Sequence, residues 1–186
     1  LWEAVYKRNG RYIRTLIDRF FYKVPLMEKT LLQPLAMGEA GWASSKELLN
    51  NEELILLSPG GMREWGKPST QKYQINWHGR KGYAKLAIET QTPIILAACP
   101  KADDIYHVHD NPVSKMLYSK FKFPFVFSTG FAGSPMPKPV KLIHHLSEPI
   151  VPPARKDGVP LELQVNEFHA VVENKMNDLI QHALAG

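Results

Sequence analysis

A single cysteine, Cys99, stands among the 186 residues, so no internal disulfide can form. At the end of an apolar stretch its thiol is expected to be a small buried hydrophobe in a reducing compartment. No apolar run approaches the roughly eighteen residues that cross a bilayer as a helix, so no transmembrane segment is expected within the chain. Internal repeats and low-complexity linkers are absent, and with them any reason to expect a second domain. No glycine pair leads into Gly-Lys-Ser/Thr, which removes a Walker phosphate loop. Ser44, Ser45, Ser58 and Ser69 lack the Gly-x-Ser-x-Gly elbow of a serine hydrolase. No helix-turn-helix, zinc-finger or ribonucleoprotein motif accompanies the basic residues, so nucleic acid is not an expected partner.

What is present fits one globular α/β domain over residues 1–186, with 44% hydrophobic and 22% charged residues. The net charge of +5 is uneven. Residues 1–29 carry seven basic side chains, from Lys7 to Lys29, against Glu3, Asp18 and Glu28, and interleave them with Trp2, Tyr6, Tyr12, Phe20, Phe21 and Tyr22. Such a segment suits an anionic membrane face, where each Lys or Arg adds about 1 kcal/mol. It equally suits an aromatic core under a solvated basic face.

Periodicity predicts a first helix ending near Asn9-Gly10, a strand over 12–17, a helix after Pro25 up to Pro34, and a short strand over 35–38. Ser44 or Ser45 is expected to cap a helix over 46–50, with 54–58 as the central strand. A helix starting at Gly82 should turn Tyr83, Leu86, Ala87 and Thr90 to one side, followed by a buried strand around Ile94. Residues 107–115 and 128–139 read as turns and loops, and 140–146 as a strand. A last helix from about Pro160 carries Leu163, Val165, Phe168, Val171, Val172, Met176, Leu179 and Ile180 as its apolar face. Alternating strands and helices imply a mostly parallel sheet flanked by helices.

The most informative stretch is Ser-Pro-Gly-Gly-Met-Arg-Glu at 58–64, directly after the apolar run Leu54-Ile55-Leu56-Leu57. It predicts a strand ending in a glycine turn, where the backbone can approach a ligand and Arg63 offers a planar fork of donors. An ordinary turn whose arginine pairs with Glu64 or Glu53 has the same appearance. The turn is followed by Asn76-Trp77-His78-Gly79-Arg80-Lys81-Gly82-Tyr83 and Thr92-Pro93-Ile94-Ile95-Leu96-Ala97. Further on come Leu117-Tyr118-Ser119-Lys120-Phe121-Lys122-Phe123-Pro124-Phe125 and the run 140–146 leading to Glu148-Pro149-Ile150.

Taken together, these segments resemble the glycerolipid acyltransferases of the lysophospholipid acyltransferase superfamily, over nearly the whole chain. The likeness is to the branch with monoacylglycerol and diacylglycerol acyltransferases and transmembrane-protein-68-like proteins. The resemblance implies a glycerolipid acyltransferase-like α/β fold and an O-acyltransferase acting in glycerolipid or neutral lipid synthesis. The donor would be acyl-CoA, or an acyl-carrier protein, and the acceptor a lipid hydroxyl, with no cofactor or metal. It implies a membrane-associated enzyme facing the cytoplasm. The acceptor headgroup would be lined by Pro59, Gly60, Gly61 and Arg63, with Glu64 holding Arg63 or bonding an acceptor hydroxyl, and Trp77 and Arg80 bounding the same cleft.

The superfamily is recognised by a histidine with an aspartate five positions on, the histidine acting as general base. None of His78, His107, His109, His144, His145, His169 and His182 has that partner; His169 finds Asn174. By the order of elements the pair is expected upstream of Leu1, which makes the chain an N-terminally truncated piece, inactive alone. Phosphatidate-forming members usually read Phe-Pro-Glu-Gly-Thr-Arg-Ser at the main turn. Gly60, Met62 and Glu64 replace the acid, threonine and serine here, so an uncharged acceptor is expected, with lysophosphatidate or a lysophospholipid as the alternative. A non-catalytic lipid-binding fragment or scaffold is the other reading.

His107 and His109 with Asp103, Asp104 and Asp110 have the residue types of a metal site, but their loop spacing favours a solvated turn. His144 and His145, adjacent on an expected strand, would point to opposite faces.

Overall fold

A computed structural model describes residues 1–17, 22, 29–30, 37–61, 64, 66–113, 116 and 126–185. The expected helix between Pro25 and Pro34 apart from residues 29–30, the first half of the 35–38 strand, and Met62, Arg63 and 117–125 lie outside the described residues. Two compact units interleave along the chain. One comprises Leu1–Pro59, Lys81–Pro93 and Val151–Val165, the other Gly60–Arg80, Ile94–Ile150 and Asn166–Gly186.

In the first unit, helix α1 (Trp2–Asn9) stops at Gly10, which is left-handed (φ 70°) and donates its N–H to Tyr6 O, the αL stop that glycine makes without steric cost. Strand β1 (Ile13–Ile17) follows, one residue later than predicted. It lies between β2 (Gly38–Glu39) and β3 (Leu54–Leu56), parallel to both, with Leu16 opposite Gly38 and Ile13 opposite Leu54. The 54–58 run is therefore shorter than expected and lies at the edge of this sheet, with β1 in the middle. Parallel pairing is confined, among the described residues, to these three strands.

Helix α2 (Trp42–Asn50) starts four residues earlier than predicted, with Gly41 as its N-cap. Ser44 and Ser45 sit inside it. The Ser44 hydroxyl bonds back to Glu39 O at 3.0 Å and Gly41 O at 3.1 Å, and the Ser45 hydroxyl to Gly41 O at 2.6 Å, the i−4 option open to a helical serine. α2 packs on α3 (Gly82–Thr90). Lys46 meets Glu89 at 3.4 Å, and the Lys85 ammonium lies 4.8 Å from the Trp42 ring centre. α3 buries Ala84, Leu86, Ala87 and Ile88. Tyr83 and Thr90 of the predicted face are only half-buried, while Ala84 is fully buried.

The second unit has two short antiparallel ladders, β4 (Ala97–Ala98) with β7 (His145–Leu146) and β5 (His107–Val108) with β6 (Ser128–Thr129). A bridge joins Ile94 and Ile150. Of the expected 140–146 strand only the last two residues pair. Cys99 is half-buried, and burial pushes its thiol up, keeping it protonated.

The last helix, α4 (Leu161–Ala185), begins where Pro160 predicted. Its buried stripe runs through Val165, Phe168, His169, Val172, Ile180 and Ala183. Leu163 and Val171, assigned to that face from sequence, are 54% and 46% exposed; they fall on the flank of a stripe that includes the polar His169. No described helix is long and apolar enough to cross a membrane.

Candidate functional site

The glycine turn after β3 opens the second unit, and its backbone explains its composition. Gly61 has φ 56°, in the left-handed region. A Cβ on Gly60 would fall 2.4 Å from both Glu64 Cβ and Glu64 Oε2 and 2.8 Å from Asn76 O. Glycine is thus required at 60 for lack of space and favoured at 61 for conformation.

Glu64 folds back over the turn. Its N–H donates to Gly61 O at 3.1 Å, and its Oε1 accepts the Asn76 N–H at 3.3 Å. The sequence offered Glu64 as the support of Arg63. The structure shows its carboxylate tying the turn to residue 76, while Arg63 lies outside the described residues. Arg80 closes the other side, its Nη1 donating to Gly60 O at 3.3 Å and lying 2.8 Å from where a Gly61 Cβ would be. This joins Arg80 to Gly60 and Gly61, which proximity in sequence had only suggested. The bend that delivers Arg80 uses two left-handed residues, His78 (φ 50°) and Gly79 (φ 66°), and an Arg80 N–H bond to Trp77 O at 3.0 Å.

Trp77 was expected to bound a cleft, but it is only 4% exposed. Its ring is tilted against His169, with centres 6.1 Å apart, and the His169 Nε2 lies 3.9 Å from Glu173 Oε2. The indole is part of the core beneath the turn. Gln71, Gln74, Ile75 and Asn76 line a small polar recess of about 190 Å³ beside it.

A second layer of charge fixes this segment and was missed from the sequence. Lys67 meets Asp103 at 2.9 Å and donates to Gln74 O at 2.8 Å. Lys72 meets Asp104 at 2.9 Å, the Tyr73 N–H donates to Asp103 at 2.8 Å, and the Tyr73 hydroxyl donates to Asp104 at 2.6 Å. That hydroxyl bond, with burial, pushes the Tyr73 phenol up to about 12. Burial would raise the Asp104 carboxyl, but bonds from Tyr73 and Lys72 outweigh it and leave it below its ordinary value. Tyr73 itself has φ 62°, an uncommon conformation that these bonds hold in place. The only sequence signal was a pair of lysines at 67 and 72 and a pair of aspartates at 103 and 104, with nothing to connect them.

The same contacts account for the candidate metal residues. Asp103 and Asp104 face lysines. His107 and His109 sit edge to face at 4.7 Å, and His109 Nε2 is 3.1 Å from Thr129 Oγ1. Among the described residues no group of three or more His, Cys, Asp or Glu could hold a metal ion.

Chemically, the turn offers a carboxylate able to accept from a hydroxyl, a guanidinium able to donate to an ester or anion, and backbone that a ligand can approach closely. His78, the histidine nearest along the chain, is exposed.

No family profile and no solved structure matches the chain. It is similar to proteins named "DGAT1/2-independent enzyme synthesizing storage lipids". The Mus musculus protein is 32% identical over 148 residues, covering 78% of this chain and 42% of that protein. The Homo sapiens protein is 30% identical over 148 residues, covering 78% and 43%. The chain thus spans about two fifths of the length of the curated relatives it matches. It is related to enzymes that synthesise storage lipids.

Proposed function

We propose that the chain forms the acceptor-binding part of a lipid O-acyltransferase that moves an acyl group from acyl-CoA to the hydroxyl of an uncharged lipid such as a mono- or diacylglycerol. The observation that carries this reading is similarity over most of the chain to enzymes named for synthesising storage lipids. The acceptor hydroxyl attacks the thioester carbonyl, the C–O bond forms as the C–S bond breaks, CoA leaves as its thiolate, and the hydroxyl proton goes to a general base. By the resemblance, that base is a histidine held by an aspartate, placed upstream of Leu1.

Within the chain, Gly60 and Gly61 let the acceptor approach the backbone, Arg63 and Arg80 donate to its ester oxygens, and Glu64 orients the hydroxyl. Trp77 supports the turn from below. Pro59 sets the entry of the chain into it. The uncharged acceptor follows from Glu64, whose carboxylate lies over Gly60. A phosphate about 5 Å from that carboxylate would meet a repulsion of roughly 3 kcal/mol at an effective dielectric of about 20, which a neutral hydroxyl escapes.

The test uses the protein extended upstream through a His-(four residues)-Asp segment, with acyl-CoA or acyl-carrier protein as donor and diacylglycerol or lysophosphatidate as acceptor. Arg63→Ala should lower transfer about 10²-fold, and Glu64→Ser should raise use of lysophosphatidate relative to diacylglycerol. Preference of the unmodified protein for lysophosphatidate would overturn the acceptor. No thioester-dependent transfer to any lipid would overturn the enzyme and leave the scaffold reading.

A further inference from the structure

The second unit carries an apolar surface that its own fold does not cover. After β6, residues 130–136 close into a tight loop. Gly130 N–H donates to Ser134 O at 2.6 Å, Phe131 N–H to Met136 O at 2.7 Å, and the Ser134 hydroxyl to Phe131 O at 2.7 Å. A Cβ on Gly130 would fall 1.7 Å from Met136 O, so the closure admits no side chain there. Ala132 takes φ 50°, a conformation an alanine resists. The product of this rigid backbone is two large apolar side chains in solvent, Phe131 at 56% and Met136 at 64% exposure. Phe127 before the loop and Leu142 and Ile143 after it are also exposed. The Lys138 N–H donates to Ile105 O at 3.0 Å, anchoring the loop to the unit.

Along the sequence, the first charged residues that follow the loop are basic. Between Asp110 and Glu148 the sequence has no acidic residue, and of its lysines Lys138 and Lys141 are among the described residues, the latter exposed. The two carboxylates next to the Ile105 anchor, Asp103 and Asp104, are already met by Lys67 and Lys72. Protruding aromatic and thioether side chains followed by the exposed Lys141 match the boundary of an anionic bilayer, where apolar tips enter the acyl region and ammonium groups stay at the headgroups.

We propose that the loop tip at Phe131 and Met136, with Phe127, Leu142, Ile143 and Lys141, is a membrane-docking surface for anionic lipid. It rests on the lipid-enzyme reading only for its purpose, namely delivery of the acceptor from the bilayer, and can be tested without any activity. It places the bilayer contact in the second unit, whereas the basic, aromatic residues 1–29 of the first unit were the surface the sequence singled out.

The experiment is sedimentation of the 186-residue chain with vesicles of phosphatidylcholine alone or with about a third phosphatidylserine. The unmodified chain should bind the anionic vesicles and lose binding as salt rises. Phe131→Ser with Met136→Ser should weaken partition about tenfold, Leu142→Ser with Ile143→Ser about as much, and Lys141→Glu a few-fold, with unchanged thermal unfolding because all these side chains are exposed. Wild-type binding by both serine pairs, or loss of binding only on Lys7→Glu with Arg8→Glu, would overturn the proposal. So would concentration-dependent self-association abolished by Phe131→Ser, which would make the surface a contact between copies. Failure of the enzyme reading is separate: it is absence of acyl transfer in detergent-dispersed lipid by the upstream-extended protein, an assay that needs no docking.

Discussion

Two glycine turns of the second unit are closed alike and carry opposite kinds of side chain. At 60–64 and at 130–136 the chain folds back so tightly that a Cβ would strike a neighbour, and each closes with backbone hydrogen bonds. The first turn gathers polar groups, Glu64, Asn76 and Arg80, above the buried Trp77. The second lifts Phe131 and Met136 away from the core. Backbone closure is common to both and does not separate them. What each turn can bind is decided by the side chains it carries and by what stands behind it. The first is suited to hold a polar headgroup, the second to enter an apolar phase.

The sharpest way to break this comparison is Gly130→Ala. Its Cβ cannot coexist with Met136 O, so the loop must open, at a cost of about 3 kcal/mol. Vesicle binding should fall with it, while acyl transfer from detergent-dispersed lipid by the extended protein should persist. Unchanged stability in urea unfolding would show that the loop is not closed in solution.

Gly60→Ala should cost somewhat less, about 2 kcal/mol, because the clash is with the Glu64 side chain and Asn76 O, and Glu64 can swing out. Here the expected pattern reverses. Transfer should fall through displacement of Glu64, and vesicle binding should stay at the level of the unmodified chain. A variant that loses binding and keeps transfer would show that the two turns have been assigned the wrong way round.

The smallest effect, about 1.5 kcal/mol, is expected for Tyr73→Phe, which removes one hydrogen bond to a charged group. Because the phenol is raised from 10.0 to about 12 in the fold, its contribution is complete below about pH 10 and is lost as pH rises toward 12. Asp104 has the opposite sign: with its carboxyl below the ordinary 3.8, it stabilises above that value and its share is lost as pH falls through the lowered one. Unfolding measured from pH 8 to 12 should therefore show a decline in the unmodified chain that Tyr73→Phe flattens. An equal decline in both would mean that the Tyr73–Asp104 bond does not hold the segment under the turn.

Some of this was legible in the sequence because it is local. Pro160 followed by a 3.6-residue stripe marked the start of α4, Gly10 marked the end of α1, and Pro59-Gly60-Gly61 marked a turn after an apolar run. Other readings failed where a neighbour overrides a local signal. Ser44 and Ser45 have the chemistry of an N-cap, yet Gly41 takes that place and the hydroxyls bond backward. Leu163 and Val171 are apolar and exposed, while His169 is polar and buried, since α4 buries the stripe its neighbours contact.

By itself, then, the sequence determined the end of α1, the start of α4, the need for glycine in a tight bend and the sign of the charge, all set by residues within a turn or two of one another. Only the tertiary structure decided that β1 is the middle strand, that Asp103 and Asp104 belong to Lys67, Lys72 and Tyr73, that Glu64 reaches Asn76, and that Phe131 and Met136 remain in solvent. Each of those outcomes depends on which distant groups meet, from 12 to 41 residues apart for the paired ones. Composition and periodicity cannot choose among such partners, because the energy that selects them exists only once the chain has closed.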